Sequence, residues 1–153
     1  MIQRIQTLFL LGASLLLFLM FILPLASVST GDGLQVEMIY RGFVFDESAG
    51  KEDVFNFALA VLLLINLLIS FLSIFLFKKR ILQIRLSVMN ILLLIGLVVL
   101  MYFSLNKFTA EWEAIIQYKI AMAFPLVAAI LSYLAIRAIG KDEALIRSMN
   151  RIR

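Results

Sequence analysis

The chain has 153 residues, 63 % of them apolar and only 16 % charged, with a net charge of +4. Ordinary soluble domains run about 45–50 % apolar and about 25 % charged, so a soluble fold of this length has too little polar surface to cover itself. There is no Cys and no His, which excludes disulfides, Cys/His zinc sites, iron–sulfur clusters, the usual haem ligands, thiol nucleophiles and the commonest general base.

No cofactor is expected on that footing. The basic residues flank hydrophobic runs instead of forming a stripe, which reads as a membrane-topology signal and not as a nucleic-acid footprint. A span needs about 20 mainly apolar residues to cross a ~30 Å hydrocarbon core. Four stretches qualify: Leu8–Val28, Val54–Phe77, Leu86–Leu105 and Ile115–Ile139. The expectation is an all-α membrane protein, a single domain over 1–153, built as an up-down bundle of four transmembrane helices.

Taken in chain order, Arg4 precedes a Leu-rich run that superficially resembles a signal peptide, but the run exceeds a normal h-region and lacks a clean A-x-A site. It is expected to be a retained first helix. Between the first two spans, 29–53 forms an outer loop. Thr30-Gly31-Asp32-Gly33 is turn chemistry, after which Leu34, Val36, Met38 and Tyr40 alternate with Gln35, Glu37 and Arg41, the period of a strand. Gly42 then precedes Phe43-Val44-Phe45, so a two-stranded hairpin is expected over the outer mouth. Lys51-Glu52-Asp53 brings negative charge to the start of the second helix, where the helix dipole favours it.

Lys78–Arg85 is a tight basic turn that makes the second and third helices an antiparallel pair. In the outer connection 106–114, Thr109 is a candidate cap for a helix beginning at Glu111. Pro24 and Pro125 sit toward outer helix ends and are expected to bend them. Tyr102, Trp112 and Tyr118 are candidate headgroup-level anchors. After Gly140 the tail 140–153 reads as a basic amphipathic helix, suited to an anionic leaflet, or equally as a frayed cytoplasmic tail.

Orientation follows from the basic residues. Arg4, Lys78, Lys79, Arg80, Arg85, Arg137, Lys141, Arg147, Arg151 and Arg153 fall on one side, and Arg41, Lys51, Lys107 and Lys119 on the other. The N- and C-termini are therefore expected in the cytoplasm.

Polar residues within the spans need partners. Asn66, Ser70 and Ser73 share a face of the second helix, and Ser87 and Asn90 share one of the third. Matching depth from the cytoplasmic turn pairs Ser73 with Asn90, so interhelical hydrogen bonds are expected near that level, in preference to a polar ligand or ion path. Small residues on the first helix (Gly12, Ala13, Ser14), the third (Gly96) and the fourth (Ala121, Ala128, Ala129, Ser132, Ala135) allow close helix approach. All ten carboxylates lie in loops, ends or the tail. A coupled transporter needs an ionisable group within the membrane, and Leu- and Phe-rich helices offer nothing polar to line a pore. A Ser–Lys or carboxylate hydrolase on the outer face has no recognisable spacing, so the protein is expected not to be an enzyme.

The two ends carry a resemblance. Met1-Ile2-Gln3-Arg4-Ile5-Gln6-Thr7 running into a Leu-rich helix, with Ala135-Ile136-Arg137-Ala138-Ile139, Asp142-Glu143-Ala144-Leu145-Ile146-Arg147-Ser148 and Arg151-Ile152-Arg153 at the close, is similar to a bacterial membrane family found mainly in Bacteroidetes, domain of unknown function 4293. The resemblance covers the full length and implies an inner-membrane location, and it brings no activity with it. At the cytoplasmic interface, Arg4 or Arg137 is expected to pair with Asp142 or Glu143 and clamp the N-terminus to the fourth helix, with Arg147 and Arg151 nearby; phospholipid contact is the alternative. The expected role is a scaffold or accessory subunit of a larger membrane assembly, with Leu34, Met38, Ile39, Tyr40, Phe43 and Phe45 as the partner surface. The alternative is a binder of lipid or a small hydrophobic ligand at the outer mouth.

Overall fold

The structure, a computed structural model, describes residues 3–31, 33–46, 52–112 and 114–150, without the side chains of 3–4, 78 and 145–150. Among these residues the chain forms four helices, α1 (Gln3–Leu19), α2 (Phe57–Phe75), α3 (Arg80–Trp112) and α4 (Phe124–Asn150). Five short strands accompany them: β1 (Ala26–Ser29), β2 (Gln35–Ile39), β3 (Gly42–Phe45), β4 (Val54–Phe55) and β5 (Ile115–Tyr118). Each helix packs on its chain neighbours, and α1 closes the ring against α4. Three of the helical stretches, Phe57–Phe75, Arg80–Trp112 and Ile120–Ala144, are long and apolar enough to cross a membrane, whereas Ile5–Leu19 is a shorter apolar helix.

The expected span Leu8–Val28 is thus cut short. Its helix stops at Leu19 and the last residues become β1. Pro24 supplies the reason: it cannot donate to a helix and pushes the residue before it out of the helical region. Nor does Pro24 bend a helix, because it lies in the turn between α1 and β1. The expected fourth span fails at its start, where Ile115–Tyr118 is strand, a 3₁₀ turn covers Ile120–Ala123, and α4 begins at Phe124. Pro125 then occupies the first turn of α4, where its missing N–H costs nothing. Val54 and Phe55 are likewise strand, and α2 starts at Phe57.

The third span errs the other way. It reaches Trp112 instead of Leu105. Thr109 is inside that helix, its hydroxyl donating to the Leu105 carbonyl, and caps nothing. At the opposite end α4 continues through Gly140 to Asn150 without a break.

The expected hairpin is the centre of a five-stranded antiparallel sheet of order β4-β3-β2-β1-β5. Ala26 pairs with Met38 on one side and Tyr118 on the other, and Met38 pairs in turn with Phe43. One face carries Ala26, Val28, Val36, Met38, Phe43 and Phe45, all buried. These side chains form one core with Leu59, Leu97, Met101, Leu105 and Phe108 of the bundle. The sheet therefore closes the end of the bundle where α1 and α3 finish and α2 and α4 begin. Gly42 permits this closure: its φ is +136°, and a Cβ there would lie 2.0 Å from the Val54 carbonyl oxygen.

Candidate functional site

The helix interior holds a polar seam. Asn66, Ser70 and Ser73 of α2 and Ser87 and Asn90 of α3 are all buried, at 0–1 % exposure. Asn90 donates to the Ser70 hydroxyl at 2.8 Å, one turn from the Ser73 expected from depth matching. Ser73 bonds back to the Ile69 carbonyl, while its own carbonyl accepts from Gln83 at 3.0 Å. Gln83 has displaced the register by taking the position nearest the turn. Asn66 donates to the Leu62 carbonyl of its own helix at 2.7 Å. Four interior oxygens, Asn66 Oδ1, Asn90 Oδ1, Ser87 Oγ and Ser132 Oγ, have no hydrogen-bond partner among the described residues.

At the end formed by the α2–α3 turn, a side-chain contact does tie the start of α1 to α4. Its donor is Gln6, whose amide reaches the buried Asp142 carboxylate at 2.5 Å. Glu143 lies 3.8 Å from Arg80 at the start of α3. Arg137, expected as a partner of these carboxylates, is exposed and makes no ion pair among the described residues. It sits on the outward side of α4, two residues from both Ala135 and Ile139, whose buried stripe faces the bundle. The side chains of Arg4 and Arg147, and Arg151 altogether, lie outside the described residues.

The sheet end is aromatic. Phe43 stacks on Phe108 with centroids 4.1 Å apart, Phe45 meets Trp112 at 5.5 Å, and Phe108 stacks on Trp112. This corrects the expected partner surface. Met38, Phe43 and Phe45 are buried in the chain's own core, because the strand alternation puts them on the sheet face that packs into the bundle. Leu34, Ile39 and Tyr40 are half-buried, with Tyr40 against Phe21 at 5.0 Å. Trp112 belongs to the same stack, whereas Tyr102 and Tyr118 point outward.

Sheet and bundle are also joined by polar contacts. Asn56 caps α2 by accepting from the Leu59 amide, and its Nδ2 donates to Ser104 at 2.7 Å. Asp53, expected at the helix dipole, instead accepts from the Phe45 amide at 3.3 Å. Lys119 pairs with Glu37 at 2.7 Å across the sheet. Among the described residues no three acidic side chains gather as a metal site would require.

Sequence reasoning missed Gln6, Gln83, Asn56, Ser104 and Arg80. Gln83 was findable, since it lies four residues before Ser87 and seven before Asn90, on the same helix face. Gln6 and Asp142 carry no comparable spacing signal.

The fold and its sites define a class: an apolar four-helix bundle, sewn internally by amide and hydroxyl groups and capped at one end by a small antiparallel sheet. The chain belongs to the family described as Domain of unknown function (DUF4293), whose model matches residues 2–152. No curated protein compared with the chain matches it.

Proposed function

We propose that this is a non-enzymatic, multi-pass protein of the bacterial inner membrane that serves as a scaffold or accessory subunit of a larger membrane assembly. All four helices cross or enter the bilayer in this reading, and both termini are cytoplasmic. The carrying observation is the disposition of polarity. The polar side chains Asn66, Ser70, Ser73, Ser87, Asn90 and Ser132 are buried inside the bundle, with Asn66, Ser73 and Asn90 bonded to their own backbone or a neighbouring helix, while large apolar residues such as Leu8, Leu15, Phe71, Leu92, Val99, Phe103 and Ile130 are about half or more exposed along the helices. Water penalises that surface; hydrocarbon does not. Acidic groups support the non-enzymatic part, because Asp53, Glu37 and Asp142 are each held by a structural donor.

Two measurements test this reading. The Cys-free chain accepts single cysteines cleanly: Gln35→Cys should react with a membrane-impermeant maleimide in intact cells, and Lys141→Cys only after permeabilisation. Tagged full-length chain extracted in mild detergent should then run in native mass spectrometry as a fixed-stoichiometry complex with a second polypeptide. A lone monomer or homo-oligomer would overturn the scaffold role.

A second reading, binding of a lipid or small hydrophobic ligand at the outer end, draws on a cleft of about 290 Å³ between β4 and α3, lined by Phe43, Phe55, Asn56, Ser104, Lys107 and Glu111 among others. Co-purified lipid that disappears in a Ser104→Phe variant would favour it over the scaffold.

A further inference from the structure

At the end of the bundle opposite the sheet, the α2–α3 turn and the start of α3 open into a cleft of about 450 Å³ lined by Lys79, Arg80, Ile81, Leu82, Arg85 and Glu143. Among the described residues, three cationic side chains face it against one carboxylate. The first turn of α3 contains no acidic residue, and the backbone bonds that join this turn to its surroundings use the amides of Lys79 and Gln83, not those of Arg80, Ile81 and Leu82. The positive end of a 33-residue helix therefore opens at the place where the basic side chains converge, with Glu143 of α4 as the carboxylate in the cleft lining. Ile81 and Leu82, 56 % and 42 % exposed, add an apolar flank beside the charges. A phosphate wants the first set of groups; an acyl chain wants the second.

We propose that this cleft binds the phosphate of an anionic phospholipid, with Arg80 and Arg85 as its charge-assisted donors, Lys79 as a point charge and the acyl chains running over Ile81 and Leu82. Glu143 opposes the ligand. It shares Arg80 at 3.8 Å, so a bound phosphate takes that guanidinium from α4, and lipid occupancy is coupled to how α4 is held against α3. The site rests on the membrane reading above but not on the scaffold role.

The test uses full-length protein in nanodiscs of phosphatidylcholine with phosphatidylglycerol, followed by native mass spectrometry of retained lipid. The wild type should retain phosphatidylglycerol in preference to phosphatidylcholine. Lys79→Gln with Arg85→Gln should reduce that retention by roughly tenfold or more, since each basic residue near an anionic surface contributes about one kcal/mol. Glu143→Gln should raise it several-fold, a gain that misfolding cannot mimic. Equal loss from Arg137→Gln with Lys141→Gln, which removes the same charge outside the cleft, would overturn the site and leave only a diffuse surface field. Displacement of the lipid by inorganic phosphate, at concentrations where chloride has no effect, would retain the phosphate site but overturn the lipid as its occupant. Failure of the chain to enter nanodiscs at all would instead overturn the membrane reading.

Discussion

The two ends of this bundle are closed by different physics. At the sheet end, Phe43 of β3 stacks on Phe108 and Phe45 packs at a tilt against Trp112, inside a continuous apolar core. At the turn end, closure depends on a few polar contacts: Gln6 to Asp142, Gln83 to the Ser73 carbonyl, and Arg80 beside Glu143. Dense apolar packing has one good arrangement and loses much when a ring is removed. A sparse polar contact in a membrane setting is worth little on average and is readily exchanged for another. The comparison teaches that the sheet end is the fixed part of the molecule, and the turn end is where a ligand or partner can alter helix packing at small cost.

The sharpest way to break this comparison is Phe108→Ala. It removes the ring on which both Phe43 and Phe45 rest, and should cost about 3–5 kcal/mol, read as a lower Tm in detergent with new protease sensitivity in the β2–β3 segment. Gly42→Ala should follow, at on the order of 3 kcal/mol, because it combines a left-handed backbone with a collision against the Val54 carbonyl; freeing β4 should make Cys probes at Val54 more reactive. At the turn end, Asp142→Ala should cost about 1.5–3 kcal/mol, measured by unfolding in mixed micelles. Asn90→Ala should cost only about 0.6 kcal/mol. Ser132→Ala should be neutral or slightly stabilising, since it deletes a buried hydroxyl that has no partner among the described residues. A larger penalty at Ser132 than at Phe108 would reverse the ranking of the two ends.

Much of the bundle was legible from hydrophobic run length and the basic turn, because both report directly on what solvates a helix. What failed was the boundary between helix and strand. Leu8–Val28 and Ile115–Ile139 are both predominantly apolar, and apolarity does not distinguish a helix from a buried strand. Pro24 and Pro125 held that information and were read as bends instead of a stop and a start. The far end of α3 was readable too. Its buried positions Leu94, Leu97, Met101, Leu105 and Phe108 keep the three-four spacing of one helix face, so the face persists past the last strongly hydropathic residue. Residue type and helix face reveal the polar seam, but depth matching places its register one turn off, since Gln83, beyond the apolar span, takes the Ser73 carbonyl and Asn90 meets Ser70. Glu143 and Arg80 meet only because α4 and α3 are neighbours at that end, a relation that no local pattern encodes.

The β1–β5 pairing has a consequence for synthesis. Ser27 sits opposite Gln117, so the two flanks of the strand that follows α1 are supplied at widely separated times during translation. In the membrane topology proposed above, β1 presents a raw edge with unmet amides and carbonyls until α2 and α3 have been inserted and the chain has returned to the same side. Such long-range closure is slow to form. On that topology the final strand docks only when the preceding helices have threaded in the right sense, so completion of the sheet would report on correct insertion, and a chain with one helix inverted would keep an unfinished edge.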